Sequence, residues 1–175
     1  LKLVREVSAI LEENGLSSKP LWDTESGHAI GVPQYADSPA ASAPGHVARW
    51  LILEWASGVE RFYWYSWDHD NMGLIEPEDK TLKPAGIAYV TVMRWLQGKV
   101  MTSCESVDGL WQCTLVRPDG NRSRVVWHET SSSQHWRPPT DWNSRQMENL
   151  KGVRQPMPNG SGIVIGHSPV LITQR

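Results

Sequence analysis

Two sequence patterns follow one another along this chain of 175 residues, and the change between them lies near residue 99. Residues 1–98 alternate apolar runs at helical spacing with short β-type runs, in the order helix, strand, helix, strand, helix. From Lys99 onward the apolar runs are short and are separated by turn dipeptides, a pattern typical of antiparallel strands. The sequence therefore predicts two domains, residues 1–98 and residues 99–175.

Helices and strands that alternate along a chain predict a parallel sheet. Such strands are joined by right-handed crossovers, and ligand sites lie beyond their carboxyl ends. The predicted helices are Leu1–Leu16, His46–Ser57 and Pro84–Gln97, and the predicted strands are Pro20–Glu25 and Glu60–Trp67. Two strands cannot close a barrel, and the first helix starts without a cap, an initiator Met or a signal peptide. We therefore expect further strands from sequence outside this chain.

The first turn dipeptide of the second segment predicts a hairpin. With Asp108-Gly109 as a two-residue loop, counting outward places Cys104 directly opposite Cys113. Cross-strand neighbours of this kind lie close enough for a disulfide after a modest adjustment. Two free thiols are the alternative, because a disulfide requires an oxidising compartment.

A second hairpin is predicted around Asp119-Gly120, again as a two-residue loop. That register places one apolar set on a common face, which we expect to pack on the core: Trp111, Cys113, Leu115 and Val126. Two later strands are predicted at Gly162–Ile165 and Val170–Ile172. The stretch between Trp136 and Pro158 is polar and contains several prolines, so no element is predicted there.

Composition excludes some functions and favours another. A formal net charge of -2 lacks the basic surplus of a nucleic-acid binder, and no apolar stretch reaches membrane-spanning length. Neither nucleic acid nor membrane is therefore an expected partner. The chain has 10 Trp and 1 Phe, and an indole can stack on the C–H face of a sugar while its N–H donates a hydrogen bond. Ordinary core packing is the alternative for any single Trp.

Glu25 is the residue whose position indicates chemistry. It ends the first predicted strand, within Trp22-Asp23-Thr24-Glu25-Ser26-Gly27, and a long loop rich in Ala, Ser, Pro and Gly follows at 31–44. Retaining glycoside hydrolysis uses one ionised carboxylate as nucleophile and one carboxylic acid about 5 to 5.5 Å away. Glu25 is therefore a candidate nucleophile, and a solvated loop carboxylate is the alternative.

The order of Glu25, a helix and the aromatic strand Phe62-Tyr63-Trp64-Tyr65-Ser66-Trp67 resembles a known group of enzymes. It is similar to the seventh and eighth strands of the retaining TIM-barrel glycoside hydrolases. The second segment resembles the small β-sandwich of families 39, 30 and some members of family 5. The resemblance implies an α/β fold: the C-terminal part of a (β/α)8 TIM barrel, from the last helix of unit six through units seven and eight, followed by a small antiparallel β-sandwich module.

Carried over by position, the resemblance makes Glu25 the nucleophile and Trp64 the sugar platform. Trp67 is the second choice for the platform, because a small shift of strand register would bring it to the same place. For Trp64, packing against the outer helices is the alternative. His28 is a candidate to hydrogen-bond substrate hydroxyls, with simple exposure as the alternative. The acid/base Glu of these enzymes has no match here and is expected upstream.

Other chemistries find little support in the sequence. Asp68-His69-Asp70 lacks a second ligand group at recognisable spacing, so no metal site is predicted. No Gly-x-Ser-x-Gly elbow accompanies the serines, and no phosphate-cradling loop precedes a helix. No cofactor is expected.

The leading hypothesis is a retaining glycoside hydrolase that degrades polysaccharide or oligosaccharide in a secreted or periplasmic location, with its export signal outside this chain. Its expected partners are the carbohydrate substrate and the missing N-terminal part of the barrel, in the same protein or as a separate chain. Without the acid/base carboxylate, we expect the 175-residue chain alone to be inactive. The alternatives are a non-catalytic carbohydrate-binding protein that uses the Trp-rich surface and the β module, and a structural fragment.

Overall fold

The computed structural model describes residues 2–27, 43–129, 134–139, 142–158 and 162–174. Within these ranges the first five elements are α1 (Lys2–Glu13), β1 (Leu21–Ser26), α2 (Ala43–Ala56), β2 (Val59–Trp64) and α3 (Pro84–Leu96). Eight strands follow: β3 (Val100–Val107), β4 (Leu110–Val116), β5 (Arg122–His128), β6 (Gln134–Trp136), β7 (Ser144–Glu148), β8 (Arg154–Pro156), β9 (Ile163–Ile165) and β10 (Val170–Gln174). No helix in the described ranges is long and apolar enough to cross a membrane.

The elements predicted in the first segment are confirmed to within a few residues at their ends. α3 begins at Pro84, where the missing N–H of proline leaves no hydrogen bond unmade, and Arg94 in its last turn complements the helix dipole. α1 differs from the other two helices because it buries none of its residues, and Leu3 and Ile10 stay exposed. The core of the first segment is therefore built by α2 and α3.

The strands form three sheets. β1 and β2 make a parallel pair, and β6 and β9 make an antiparallel pair. The remaining strands form a six-stranded antiparallel sheet in the order β3-β4-β5-β10-β7-β8. This large sheet is the centre of the fold.

Both faces of the six-stranded sheet are covered. Side chains alternate along a strand, so Val125 and Val126 of β5 face opposite sides. Val125 belongs to a buried cluster with Ile52 of α2 and Trp95 of α3. Val126 belongs to a second cluster with Ile163 of β9. The sheet therefore lies between the helices on one side and the β6–β9 pair on the other.

The predicted fold class is wrong. In the described residues, β1 with β2 is the single parallel pair, and the fold is mostly β with antiparallel sheets; it is not part of a TIM barrel followed by a β-sandwich. Helical periodicity predicts where a helix forms but not which surface its apolar face covers. Here α2 and α3 pack on the antiparallel sheet of the second segment, so one core includes residues on both sides of residue 98.

The β3–β4 hairpin has the predicted register. Asp108 and Gly109 both have positive φ, 51° and 78°, as a type I′ turn requires. Cys104 lies opposite Cys113, and the structure joins the two residues in a disulfide. Because Cys113 is fully buried on the helix side of the sheet, the bond ties the edge strand β3 to the core.

The β4–β5 hairpin differs from the prediction by one residue. Its loop spans residues 117–121, so the predicted two-residue Asp119-Gly120 loop is wrong. Because side chains alternate, this slip places Val126 on the face opposite to Cys113 and into the second cluster. The physical reason is local: Pro118 has no N–H to extend the ladder, so the strands part before the dipeptide is reached.

A buried carboxylate links α3 to the edge of the sheet. Glu148 of β7 accepts hydrogen bonds from Arg94 of α3 and, at 2.7 Å, from Arg154 Nε of β8. Burial alone would raise the pKa of Glu148, but the neighbouring Trp95 indole and the two guanidinium groups outweigh it and hold the pKa below its ordinary value. The charge is thus compensated on both sides, as a buried carboxylate requires.

We expect Glu148→Gln to lower the free energy of unfolding by about 2 kcal/mol at neutral pH, since it leaves two arginines without their anion. Because the folded-state pKa is depressed, this contribution is present above the ordinary value of 4.5 and is lost as the pH falls through the folded-state pKa. Urea unfolding should show the difference from wild type shrinking below that pH. Glu105→Gln, at an exposed site on β3, is the control. A pH-independent difference would contradict the assignment.

Candidate active site

Glu25 lies near the carboxyl end of β1, within a β-bulge. Asp23 pairs with Phe62 and Ser26 pairs with Trp64, so β1 advances one residue more than β2 between these two pairs. Bulges re-aim side chains and occur often beside active sites. Glu25 is exposed, and no group in the described ranges hydrogen-bonds to its carboxylate. The carboxylate is therefore accessible from solvent.

Asp23 holds the backbone of the bulge in place. Its Oδ1 accepts a hydrogen bond from the Glu25 backbone N–H at 3.3 Å, and its Oδ2 accepts one from Ser26 Oγ at 2.5 Å. The Asp23 carboxylate thus joins the Glu25 backbone N–H to the Ser26 hydroxyl. Sequence reasoning did not single out Asp23, and an Asp two residues before the candidate nucleophile was the available signal.

The chain just after Glu25 is pressed against the end of β2. The Tyr65 N–H, just after β2, donates to the Ser26 carbonyl at 2.8 Å, and a cis Tyr65–Ser66 peptide bond follows. A Cβ at Gly27 would lie 1.8 Å from the Tyr65 carbonyl oxygen. Only glycine allows this close approach, so Gly27 is required for the ends of β1 and β2 to pack together beside Glu25.

Trp64 faces the core side of this pair of strands. Its ring is half-buried against the main apolar cluster, and its centroid lies 6.3 Å from that of Phe62 in an edge-on arrangement. Its Nε1 donates to the Met72 carbonyl at 3.0 Å. The indole N–H is therefore already used, and the role of Trp64 in sugar binding stays a prediction.

Trp67 is presented differently. Its side chain is 57% exposed, while its carbonyl accepts hydrogen bonds from the backbone N–H groups of Leu74 at 2.8 Å and Ile75 at 3.1 Å. The backbone is thus fixed and the ring is open to solvent. Its role in sugar binding likewise stays a prediction.

His28 lies outside the described residues.

Further aromatic side chains on these strands or directly after β2 are exposed, and sequence reasoning missed them: Trp22, Tyr63 and Tyr65. The Arg61 guanidinium lies 4.5 Å from the centroid of the Trp22 ring. The sequence of β2 already indicated that Tyr63 is exposed. Side chains alternate along a strand, so Tyr63 faces the side opposite to Phe62 and Trp64, which pack on the core. We call this group, with Trp67, the exposed aromatic surface.

Glu54 of α2 is a second carboxylate that sequence reasoning missed. Burial raises its pKa, and the negative charge of Asp23 raises it further. Its Oε2 is buried and has no hydrogen-bond partner in the described residues. An acid within the apolar run Trp50-Leu51-Ile52-Leu53-Glu54-Trp55 was the available signal. The proximity of two carboxylates favours the protonated form of Glu54.

Asp68, His69 and Asp70 form a loop held by lysines. Lys80 Nζ lies 3.2 Å from Asp68 Oδ2, and Lys83 Nζ donates to the Asp70 carbonyl at 2.7 Å. Within the described part of the chain, no group of three His, Cys, Asp or Glu side chains is arranged to hold a metal ion. Asp68 is thus engaged by a cation of the protein itself.

No protein-family model matches this sequence, and no curated protein matches it. A solved structure does match, that of a family 39 glycoside hydrolase from the gut symbiont Bacteroides cellulosilyticus WH2, with a TM-score of 0.73 and 18% identity over 98% of this chain. The fold resembles part of a glycoside hydrolase. The match covers 38% of the length of that enzyme chain. This match supports the coarser part of the resemblance inferred from the sequence, a glycoside hydrolase-like fold, but not its TIM-barrel and β-sandwich details.

Proposed function

We propose that this chain is part of a retaining glycoside hydrolase in which Glu25 is the nucleophile. The observation that carries the proposal is an exposed carboxylate, without a hydrogen-bond partner in the described residues, in a bulge at the carboxyl end of β1. The similarity of the fold to a family 39 glycoside hydrolase supports it. Most solvated carboxylates lie on mobile side chains of loops, whereas the Glu25 backbone N–H is bonded to Asp23 and the flanking residues Asp23 and Ser26 pair with β2.

The proposed reaction has two steps. Glu25 attacks the anomeric carbon while a carboxylic acid protonates the leaving oxygen, giving a glycosyl ester on Glu25. The same acid, now a carboxylate, then takes a proton from water, which attacks the anomeric carbon and releases Glu25. We place this acid/base group in polypeptide outside these 175 residues, in the same protein or as a separate chain. The 175-residue chain alone is then inactive.

The exposed aromatic surface is proposed to bind the sugar. Trp67 is the better candidate for the platform, since its ring is open while the Trp64 N–H is bonded to Met72. Stacking needs a free apolar ring face, which a solvent-exposed indole offers. The Cys104–Cys113 disulfide supports a secreted or periplasmic location, where disulfides persist.

Covalent labelling tests the role of Glu25. Incubation of the full-length protein with a panel of 2-deoxy-2-fluoro glycosides should attach one sugar to the peptide that contains Glu25, because the fluorine slows hydrolysis of the intermediate. Mass spectrometry of the digested protein locates the label. Glu60→Gln, at an exposed site on β2, should label as wild type does, whereas Glu25→Gln should not. A label on another residue, or undiminished labelling of Glu25→Gln, would rule out the proposal.

A non-catalytic carbohydrate-binding protein is the second candidate, and the exposed aromatic surface favours it. The same experiment separates the two. A binding protein would leave every carboxylate unlabelled, while its affinity for glycans would survive Glu25→Gln and fall in Trp67→Ala.

A further inference from the structure

A cavity of about 360 Å³ opens between the end of α3 and one end of the six-stranded sheet. Five cationic side chains line it: Arg94, Lys99, Arg117, Arg122 and Arg154. Glu148 is the one carboxylate among its lining residues. The chain as a whole has a formal net charge of -2, so this positive charge is a local concentration and does not follow from composition.

The single carboxylate does not neutralise the cavity. Glu148 is fully engaged by Arg94 and Arg154. The other three cations, Lys99, Arg117 and Arg122, have no carboxylate within ion-pair distance in the described part of the chain. In the described residues, three positive charges therefore share one concave surface without an ion-pair partner.

Lys99 is the most constrained of these groups. It is half-buried, and its Nζ donates to Ser123 Oγ at 3.0 Å, with Ser123 itself buried in β5. Burial above all, together with the positive charges of Arg117 and Arg154, lowers the pKa of Lys99 to about 8, and Glu148 offsets only part of this. A bound anion would remove the repulsion, so the protein is electrostatically prepared for one.

The other lining groups suit an oxyanion. Asn121, Gln146 and Thr173 add neutral polar side chains to the wall. Guanidinium groups match the oxygens of phosphate or sulfate, and a lysine adds a point charge. The volume is within the range of sites that hold small organic ligands, so the anion can be carried by a larger molecule.

We propose that this cavity binds a phosphate or sulfate group through Lys99, Arg117 and Arg122. Such a group can belong to either of two ligands, a free inorganic anion or a phosphate or sulfate ester on a sugar. The proposal does not depend on the role of Glu25, because binding is measured without turnover.

Isothermal titration calorimetry at low ionic strength tests the site with sodium sulfate, sodium phosphate, N-acetylglucosamine 6-sulfate and unsulfated N-acetylglucosamine. Saturable sulfate binding with a Kd below about 10 mM is expected, and Lys99→Met and Arg122→Gln should each raise the Kd at least about tenfold. Lys19→Met removes a cation elsewhere and should change nothing. Arg122 is exposed, so Arg122→Gln remains informative if Lys99→Met fails to fold.

The pH dependence gives an independent readout. Sulfate keeps its charge over the tested range, as do Arg94, Arg117, Arg122, Arg154 and Glu148, so Lys99 is the lining group that titrates. Sulfate affinity should therefore fall as the pH rises above the pKa of Lys99, about 8 in the free protein, and Lys99→Met should abolish that fall.

Tighter binding of the sugar sulfate than of free sulfate would identify an ester as the ligand, and equal binding would identify the free anion. No saturable binding by any of the three anions would overturn the proposal. So would an equal loss of affinity in Lys19→Met and Lys99→Met, which would indicate a general charge effect.

Discussion

Glu25→Gln is expected to reduce the glycosidase turnover of the full-length protein at least about a thousandfold, because removal of a nucleophile blocks the covalent route. An amide has nearly the shape of the carboxylate, so the fold and the Asp23 contacts to the Glu25 backbone N–H and the Ser26 hydroxyl should persist. The measurement is kcat on an activated aryl glycoside, with thermal unfolding as the check on stability. Glu60→Gln should keep kcat within about twofold, since it changes the same functional group on β2.

Azide distinguishes a lost nucleophile from a disturbed site. In Glu25→Ala the small anion can enter the vacated space and attack the anomeric carbon directly. Turnover should then recover in part and yield a glycosyl azide of inverted configuration, because one displacement replaces two. Full activity in either Glu25 variant, or rescue that yields the retained configuration, would assign the nucleophile elsewhere.

Trp95→Ala is expected to lower the free energy of unfolding by about 4 kcal/mol, because truncation of a buried Trp removes apolar contacts and leaves a cavity. Trp95 is 1% exposed, and it lies in the cluster that α3 shares with Val125 and Leu171 of the sheet. Urea unfolding followed by circular dichroism measures the change. Trp67→Ala is the matched control, since its ring is 57% exposed and its loss should change stability by about 0.5 kcal/mol or less.

The same variant tests the domain boundary predicted between residues 98 and 99. If one core unites the two segments, Trp95→Ala should speed amide hydrogen exchange in β4 and β5 as well as in α3. Unchanged protection of β4 and β5, with faster exchange confined to α3, would show two separately stable units.

Local chemistry was sufficient for much of the fold. The boundaries of α3 follow from Pro84 and helical spacing, and the Cys104–Cys113 pairing follows from an Asp-Gly turn whose length is set by its own backbone angles. The same reasoning gave the wrong register for the β4–β5 hairpin, because Pro118 widens the turn. A shift of one residue then moves each side chain of a strand to the opposite face of the sheet.

The candidate site divides in the same way. Glu25 could be placed at the end of a strand from its neighbours alone. Its bulge could not be predicted, because a bulge is a property of the pairing between β1 and β2, which are far apart in sequence. The cationic cavity is likewise assembled from α3, the turn at Lys99, the β4–β5 loop and strands β5, β7, β8 and β10, and no single segment of the sequence contains it.

The sequence by itself determined the helices, most strands, the turn that pairs the two cysteines and the carboxylate at the end of β1, because each depends on residues within one turn or one hairpin. The tertiary structure decided what the apolar faces of α2 and α3 cover. The apolar face of a helix can be buried equally well against a parallel or an antiparallel sheet, because the hydrophobic effect depends on the area buried and not on strand direction. Here the antiparallel sheet of residues 100–174 covers it, and that choice makes the fold mostly β.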